Sequence, residues 1–512
     1  MLKKFFKKAT NNNIPFKVSY HANIDSKPWN HPFLNHENIK EFREYSQEVW
    51  KFANEYSKKS SQPFITGFYV NMAQNMYKWA TLAKKYGVNS ELISHPQDSS
   101  ALSLPQWEEF DGDFYELQNG ELFLEKNPNI KLKIPYTTPK MDDNGLLKSY
   151  IDFNHGYENN FLELLHNNPT IKYETLLKYD GHYPYFELAS KLSNYDVIYA
   201  ASTPFAAYVS GKPYCVFSVG GDLQYDCGRN DDYGMAMRVA FNCAKFLFIS
   251  NPHALGHSRR LGFTNGVYLP YPMDTNKYCP GEANSRKLWE QQYGEGFYVL
   301  MTSRIDKDVK GQNDLFWNGL IEVVKKNKKI KFIFLSWGNS IQEYITQFQS
   351  LGLENNFIFL SPVGKLKLID YYHSCDVVLD QMVYGYYGAT ALEAASVGKP
   401  IIMKLRLEQY NALQNEDVFP VVNVENQQEM NQAILELSLD NEKCKQLGQL
   451  CREWVVRVHG EETTVPLMIN LLRLAKDNVK LPQEIQDMNP LKNSLTDEEI
   501  AYHKNCEVMQ KK

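Results

Sequence analysis

The chain reads as an α/β protein of two doubly wound domains, each a parallel sheet clad in helices. Three observations predict this. Short runs of β-branched and aromatic residues alternate with helix-period stretches twice over, from about residue 61 and again from about residue 297. Runs such as VIYAA, FLFI, FIFL and VVL are apolar throughout, as strands covered on both faces require. Residues 376–403 spell strand, glycine loop, short helix, turn and strand in immediate succession.

At 512 residues the chain has room for two or three full cores. Lys plus Arg number 55 against 60 for Asp plus Glu, and the net charge of −5 is too balanced for nucleic-acid binding as the main business. The eight cysteines are scattered without a C-x-x-C pair, so neither a zinc site nor a disulfide framework is expected, and a reducing cytoplasm is the default compartment. No apolar run reaches the roughly 18 residues of a membrane span. Lys3, Lys4, Lys7 and Lys8 surround Leu2, Phe5 and Phe6 without the apolar stretch of a signal peptide. That cluster is a candidate peripheral contact with the anionic inner face of a membrane, against the plainer reading of a frayed basic terminus.

In chain order, residues 1–60 form an N-terminal extension, polar except for a helical pattern near 39–56. The first domain spans 61–278. A strand in PFITGFYV leads to a long helix ending at Gly87, with Met72, Met76, Trp79, Ala80 and Ala83 spaced along one buried face. Asp111-Gly112-Asp113 reads as a turn and not as a metal site. A helix is expected within 158–166, in a stretch (115–175) rich in Asn, Lys and Pro that otherwise resists assignment. After the strand in KPYCVFSV comes Gly220-Gly221-Asp222, a plain turn or a ligand loop. His253 and His257 stand four apart without an acidic partner, so metal binding is not expected.

The second domain spans 290–460. Its first strand, 298–302, runs into Ser303 and Arg304, with Lys310-Gly311 following six residues after the arginine. Arg forks across two phosphate oxygens and Lys acts as a point charge, a pair suited to a diphosphate. Lys365 and Lys367 read as a solvated helix edge. In the organising stretch, Gly385 and Gly388 let backbone approach a ligand, and the helix that starts at Ala389 offers free amides to an anion at Gly388, Ala389 and Thr390. Glu393, about one turn further in, suits the two hydroxyls of a ribose better than a phosphate. A last helix near 461–477 is expected to cross back to the first domain, and the tail beyond Leu481 reads as mobile, closing a C-terminal segment over 461–512.

Taken together, LEAASVGKPII around Glu393, the Arg304/Lys310-Gly311 pair and Gly220/Asp222 after an apolar strand resemble the large retaining E-x7-E family of GT-B glycosyltransferases, the glycosyl transferases of group 1. The resemblance implies a GT-B fold of two Rossmann-like domains, with a nucleotide sugar held on 290–460 and a saccharide or glycoconjugate acceptor on 61–278. It implies Arg304 and Lys310 on the diphosphate, Gly388, Ala389 and Thr390 as backbone phosphate contacts, and Glu393 on the ribose. The loop 362–365 would take the nucleobase through backbone groups, and Gly220 and Asp222 would meet sugar or acceptor. Transfer would retain configuration, without a metal or other cofactor. Two positions depart from the family pattern: Gly385 stands where its first glutamate belongs, and Val219 where its histidine lies near the reacting sugar. The catalytic residue is therefore unassigned. The alternatives are a catalytically silent nucleotide-sugar-binding subunit, another GT-B enzyme such as a nucleotide-sugar epimerase, or a phosphorylase, for which no pyridoxal lysine site is identified.

Overall fold

The computed structural model describes residues 30–94, 101–114, 119–137, 185–229, 232–307 and 311–510. The basic cluster at the N-terminus, the expected helix within 158–166 and Lys310 lie outside the described residues.

Two parallel sheets form the frame. The first comprises β1 (Ile65–Tyr69), β2 (Asn89–Ile93), β3 (Tyr136–Thr137), β4 (Val197–Ala201), β5 (Tyr214–Phe217), β6 (Phe246–Ile249) and β7 (Gly266–Tyr268), in the order β3-β2-β1-β4-β5-β6-β7. The second comprises β8 (Phe297–Met301), β9 (Ile330–Leu335), β10 (Phe357–Leu360), β11 (Val377–Leu379), β12 (Ile401–Met403) and β13 (Val422–Asn423), in the order β10-β9-β8-β11-β12-β13. Every pairing between these strands is parallel. Both orders reverse direction after the first strand of the sheet. This opens a crevice at the carboxyl edge between β1 and β4, and another between β8 and β11. The central strands β4, β5, β6, β9, β11 and β12 are buried or nearly so along their lengths. Each fully buried Val, Ile, Leu or Phe contributes about 1.5–3 kcal/mol.

Helix starts follow local side-chain chemistry. Asn35, Asn251 and Asn313 each accept a backbone N–H of the first turn, capping helices His36–Lys59, Pro252–Leu261 and Asp314–Lys326. The expected long first helix is broken. Ala73 (φ 50°) and Gln74 (φ 68°) are left-handed, so the α-helix begins at Asn75 and runs to Lys85. Met76, Trp79, Ala80 and Ala83 are buried as expected, but Met72, before the break, is 39% exposed.

The two ends of the chain differ from the sequence reading. Helix His36–Lys59 is packed into the body of the protein: Ile39, Phe42, Val49 and Ala53 are fully buried, and it contacts β7 of the first domain, helix Leu407–Leu413 of the second and helix Glu461–Lys476. Helix Glu461–Lys476 does return to the first domain, where it packs against β4 and β5. The tail beyond Leu481, expected to be mobile, is docked on the first domain through residues 489–503. Arg259, buried in the first domain, is held by Glu499 at 2.7 Å and by the carbonyls of Leu491, Asn493 and Ser494, because a buried guanidinium needs its donors satisfied.

Candidate functional site

The carboxyl edge of the second sheet carries Arg304 and the start of helix Ala389–Ser396, two of the features expected to meet a phosphate. The loop after β8 carries Arg304, whose side chain is half-exposed and pairs with Asp306 at 3.5 Å. Its Nε finds no acceptor among the described residues. Gly311 closes this loop with φ 78°, and a Cβ there would stand 2.3 Å from Val383 Cγ2, so the loop packs directly on the one that follows β11. Across the crevice, Ser303 Oγ lies 3.3 Å from Asp380 Oδ1. Helix Ala389–Ser396 starts at Gly388, which is exposed and makes no side-chain cap, so the first-turn amides at Ala389 and Thr390 are left open. An anion between Arg304 and this helix start meets a guanidinium and a positive dipole end together.

Gly385 has φ 81°, and a Cβ built on it would lie 2.6 Å from Arg406 Cγ. Arg406 N also donates to Gly385 O at 2.9 Å. The left-handed backbone and the arginine stem above it explain why a glutamate does not stand here.

Glu393 is wholly buried and saturated. Lys365 Nζ donates to both its oxygens at 2.8 and 2.9 Å, Lys78 Nζ reaches Oε1 at 3.3 Å, and Tyr372 OH reaches Oε2 at 3.3 Å. Lys365 is thus no solvated edge: its side chain is 16% exposed because it neutralises a buried carboxylate. Lys78 comes from helix Asn75–Lys85 of the first domain, 315 residues away in sequence. Burial opposes its charge, but Tyr271, Glu393 and Glu108 around it outweigh that and hold its pKa above the ordinary lysine value.

Residues 105–114 of the first domain form a strap across the second. Phe114 N donates to Pro362 O at 2.7 Å, Gly364 N to Gly112 O at 3.0 Å and Leu366 N to Phe110 O at 3.1 Å. Asp111-Gly112-Asp113, expected as a turn, is a bend at Gly112 that runs into an antiparallel bridge between Asp113 and Val363. These bonds take two backbone groups, Pro362 O and Gly364 N, of the loop expected to meet a nucleobase. The strap also delivers Glu108, 2% exposed, whose Oε1 accepts from Lys277 Nζ (3.0 Å) and Tyr278 OH (2.8 Å).

In the first domain Asp222 follows β5, as expected, but its carboxylate is turned onto its own loop. It accepts from Ser218 Oγ (2.6 Å) and from the amides of Val219 (3.0 Å), Gly220 (3.1 Å) and Leu223 (2.8 Å). Burial pushes its carboxyl up to about 6 in spite of these donors. Gly220, at φ 102°, opens onto free space. His253 and His257 contact each other at 3.3 Å, and His253 stacks at 4.7 Å on Tyr386 of the glycine loop, so the pair serves the contact between domains.

A further chain of bonds ties that loop to the crossing between domains. His459 Nδ1 meets the Tyr271 carbonyl at 2.9 Å and must carry the proton there, which leaves Nε2 to accept from Tyr387 OH at 3.0 Å. Sequence reasoning missed Lys78, Glu108 and His459. The one available signal was Lys78 standing between Tyr77 and Trp79 on an otherwise apolar stretch.

Comparison with known proteins agrees with this architecture. The family Glycosyl transferases group 1 matches residues 287–454. A mannosylfructose-phosphate synthase of Agrobacterium fabrum is 26% identical over 154 residues, which cover 28% of this chain and about a third (34%) of that relative. Among solved structures, Anabaena HepE in complex with UDP superposes with TM-score 0.52 at 15% identity, covering 80% of this chain and 99% of that one. Sucrose-phosphate synthase of Thermosynechococcus elongatus does so with TM-score 0.52 at 15% identity, covering 81% and 100%. At these identities the structural likeness speaks for the fold, which is GT-B.

Proposed function

From a group 1 glycosyltransferase domain set in a GT-B fold, we propose that this protein moves a sugar from a nucleotide sugar to a saccharide, lipid-linked or protein acceptor, with retention of configuration. The observation that carries this reading is the open start of helix Ala389–Ser396 beside the half-exposed Arg304, with Glu393 one turn inside. A nucleoside diphosphate leaves with growing negative charge. Arg304, Lys310 and the amides from Gly388 to Thr390 stabilise that charge without a metal. Glu393 is assigned to the ribose, and Gly220 with the loop that Asp222 organises to the sugar or acceptor. HepE has been solved with UDP-glucose and with UDP and glucose, so UDP-glucose leads the donor candidates. Attachment to an anionic membrane face through Lys3, Lys4, Lys7 and Lys8 belongs to the same proposal.

A second reading, a catalytically silent nucleotide-sugar-binding subunit, is favoured by Gly385, Val219 and the saturated state of Glu393. One assay separates the two: release of nucleoside diphosphate from a panel of nucleotide sugars, with and without acceptors, in the presence and absence of EDTA. Turnover that survives EDTA is expected. Tight binding without release from any donor would support the silent subunit. Strict Mn²⁺ or Mg²⁺ dependence would refute the metal-free assignment.

A further inference from the structure

Glu393 presents about four acceptor positions on its two oxygens, and all are in use: Lys78 and Lys365 on Oε1, Lys365 and Tyr372 on Oε2. A ribose diol needs two of them, so a present donor must leave. Tyr372 is fully buried, and Lys78 is held at 6% side-chain exposure beneath the Tyr271 ring. Lys365, the first residue of helix Lys365–Ser374, is the most exposed of the three and supplies both of its bonds through one ammonium at the end of a four-carbon stem.

A destination stands beside it. Glu108 Oε2 is buried and finds no donor among the described residues, although Oε1 of the same carboxylate holds two. Segment Pro105–Glu109 packs against helix Lys365–Ser374, and the Leu366–Phe110 bond fixes their spacing. Lys365 already lies in the field of Glu108. Burial works against that carboxylate, yet Lys277, Lys78 and Lys365 together draw its pKa below the usual range.

We propose that Lys365 is a two-position residue, resting on Glu393 in the nucleotide-free chain and moving to the unoccupied oxygen of Glu108 when the ribose diol of a nucleoside diphosphate takes its place. The inference rests on the ribose assignment of Glu393. Charge is conserved throughout the move: Lys78 keeps Glu393 compensated, and Lys277 and Lys365 then share Glu108. The exchange replaces a contact within the second domain by one that reaches the first-domain strap, so binding the nucleotide tightens the strap.

The test is a double-mutant cycle on Glu108→Gln and Lys365→Met, read by calorimetry with UDP, GDP and ADP and with their 2′,3′-dideoxy forms. Glu108→Gln should weaken ribonucleotide binding about 10-fold, the scale of one charge-assisted hydrogen bond. It should leave the dideoxy ligands unchanged, since they ask nothing of Glu393. In the Lys365→Met background the same substitution should have no effect. A merely structural Glu108 would weaken both ligand classes alike and in both backgrounds, which overturns the proposal. If Lys365→Met does not fold, Glu108→Gln alone still decides through the ribose-to-dideoxy contrast. A wild-type chain that binds none of these nucleotides would overturn the nucleotide reading itself. One that binds them while Glu108→Gln is neutral would overturn only the movement of Lys365.

Discussion

Removing the Glu393 carboxylate should damage stability before it affects any chemistry. An exposed ion pair contributes only about 0.2–1 kcal/mol. Here the side chains of Glu393 and Lys78 are 0% and 6% exposed, so the relevant figure is that for a broken buried pair, about 3–5 kcal/mol. In Glu393→Ala, Lys365 can turn to water or to Glu108, but Lys78 is left charged between Tyr271 and the domain contact. For a domain of this size about 1 kcal/mol moves Tm by about 2–4 °C, so a drop on the order of 10 °C is expected. Differential scanning fluorimetry on Glu393→Ala, Lys78→Met and the double variant Lys78→Met/Glu393→Leu measures it. The double variant should recover much of the loss, because no uncompensated charge remains. A fall of less than about 3 °C for Glu393→Ala, or a double variant no better than its parents, would refute the view of this pair as a mutually dependent buried couple.

Two further outcomes are expected. Gly385→Glu, which restores the family pattern in name, should cost about 1–2 kcal/mol for the left-handed backbone, and more where it meets Arg406. Thermal melts should show the loss partly relieved by adding Arg406→Ala, and donor hydrolysis should not rise. His459 is held neutral by burial, with a pKa of about 4 against an ordinary 6.5 and only the Tyr271 carbonyl acting the other way. A depressed pKa gives stability that is complete above about 6.5 and is lost as pH falls through about 4, a contribution on the order of 3 kcal/mol. His459→Gln should therefore be less stable at neutral pH but lose less on acidification, as urea unfolding at pH 7 and pH 4.5 would register.

The features legible in the sequence are the ones encoded locally. Apolar runs bounded by turns gave both sheets, and glycine spacing gave the loop and helix start at Gly388, because period and turn chemistry act over a few residues. The break at Ala73 and Gln74 was hidden, since neither residue favours left-handed backbone. It is held by distant contacts, with Asn71 Nδ2 donating to Ser103 O at 2.8 Å and Gln74 Nε2 to Leu104 O at 2.7 Å. Lys365 looked like surface because its partner lies 28 residues on, and Lys78 went unnoticed because its partner lies 315 residues on. Docking of the tail depends on Arg259, 240 residues before Glu499. Pairings at such separations leave no periodic trace.

The return of helix Glu461–Lys476 to β4 and β5 has a consequence for how the protein is made. The ribosome delivers β1 to β7 first, but the helix that covers them emerges only after the entire second domain has been synthesised. One apolar layer of the second domain, around Trp317 and Phe334, is drawn from contiguous chain and can form while the protein is still tethered to the ribosome. The earlier sheet must wait through that interval with apolar surface uncovered, although it was translated first. Helix His36–Lys59 waits with it, because its partner is the same late helix. The first domain therefore cannot be completed until helix Glu461–Lys476 has emerged, and a stall in translation anywhere between residues 290 and 460 should strand the first half as a chaperone client.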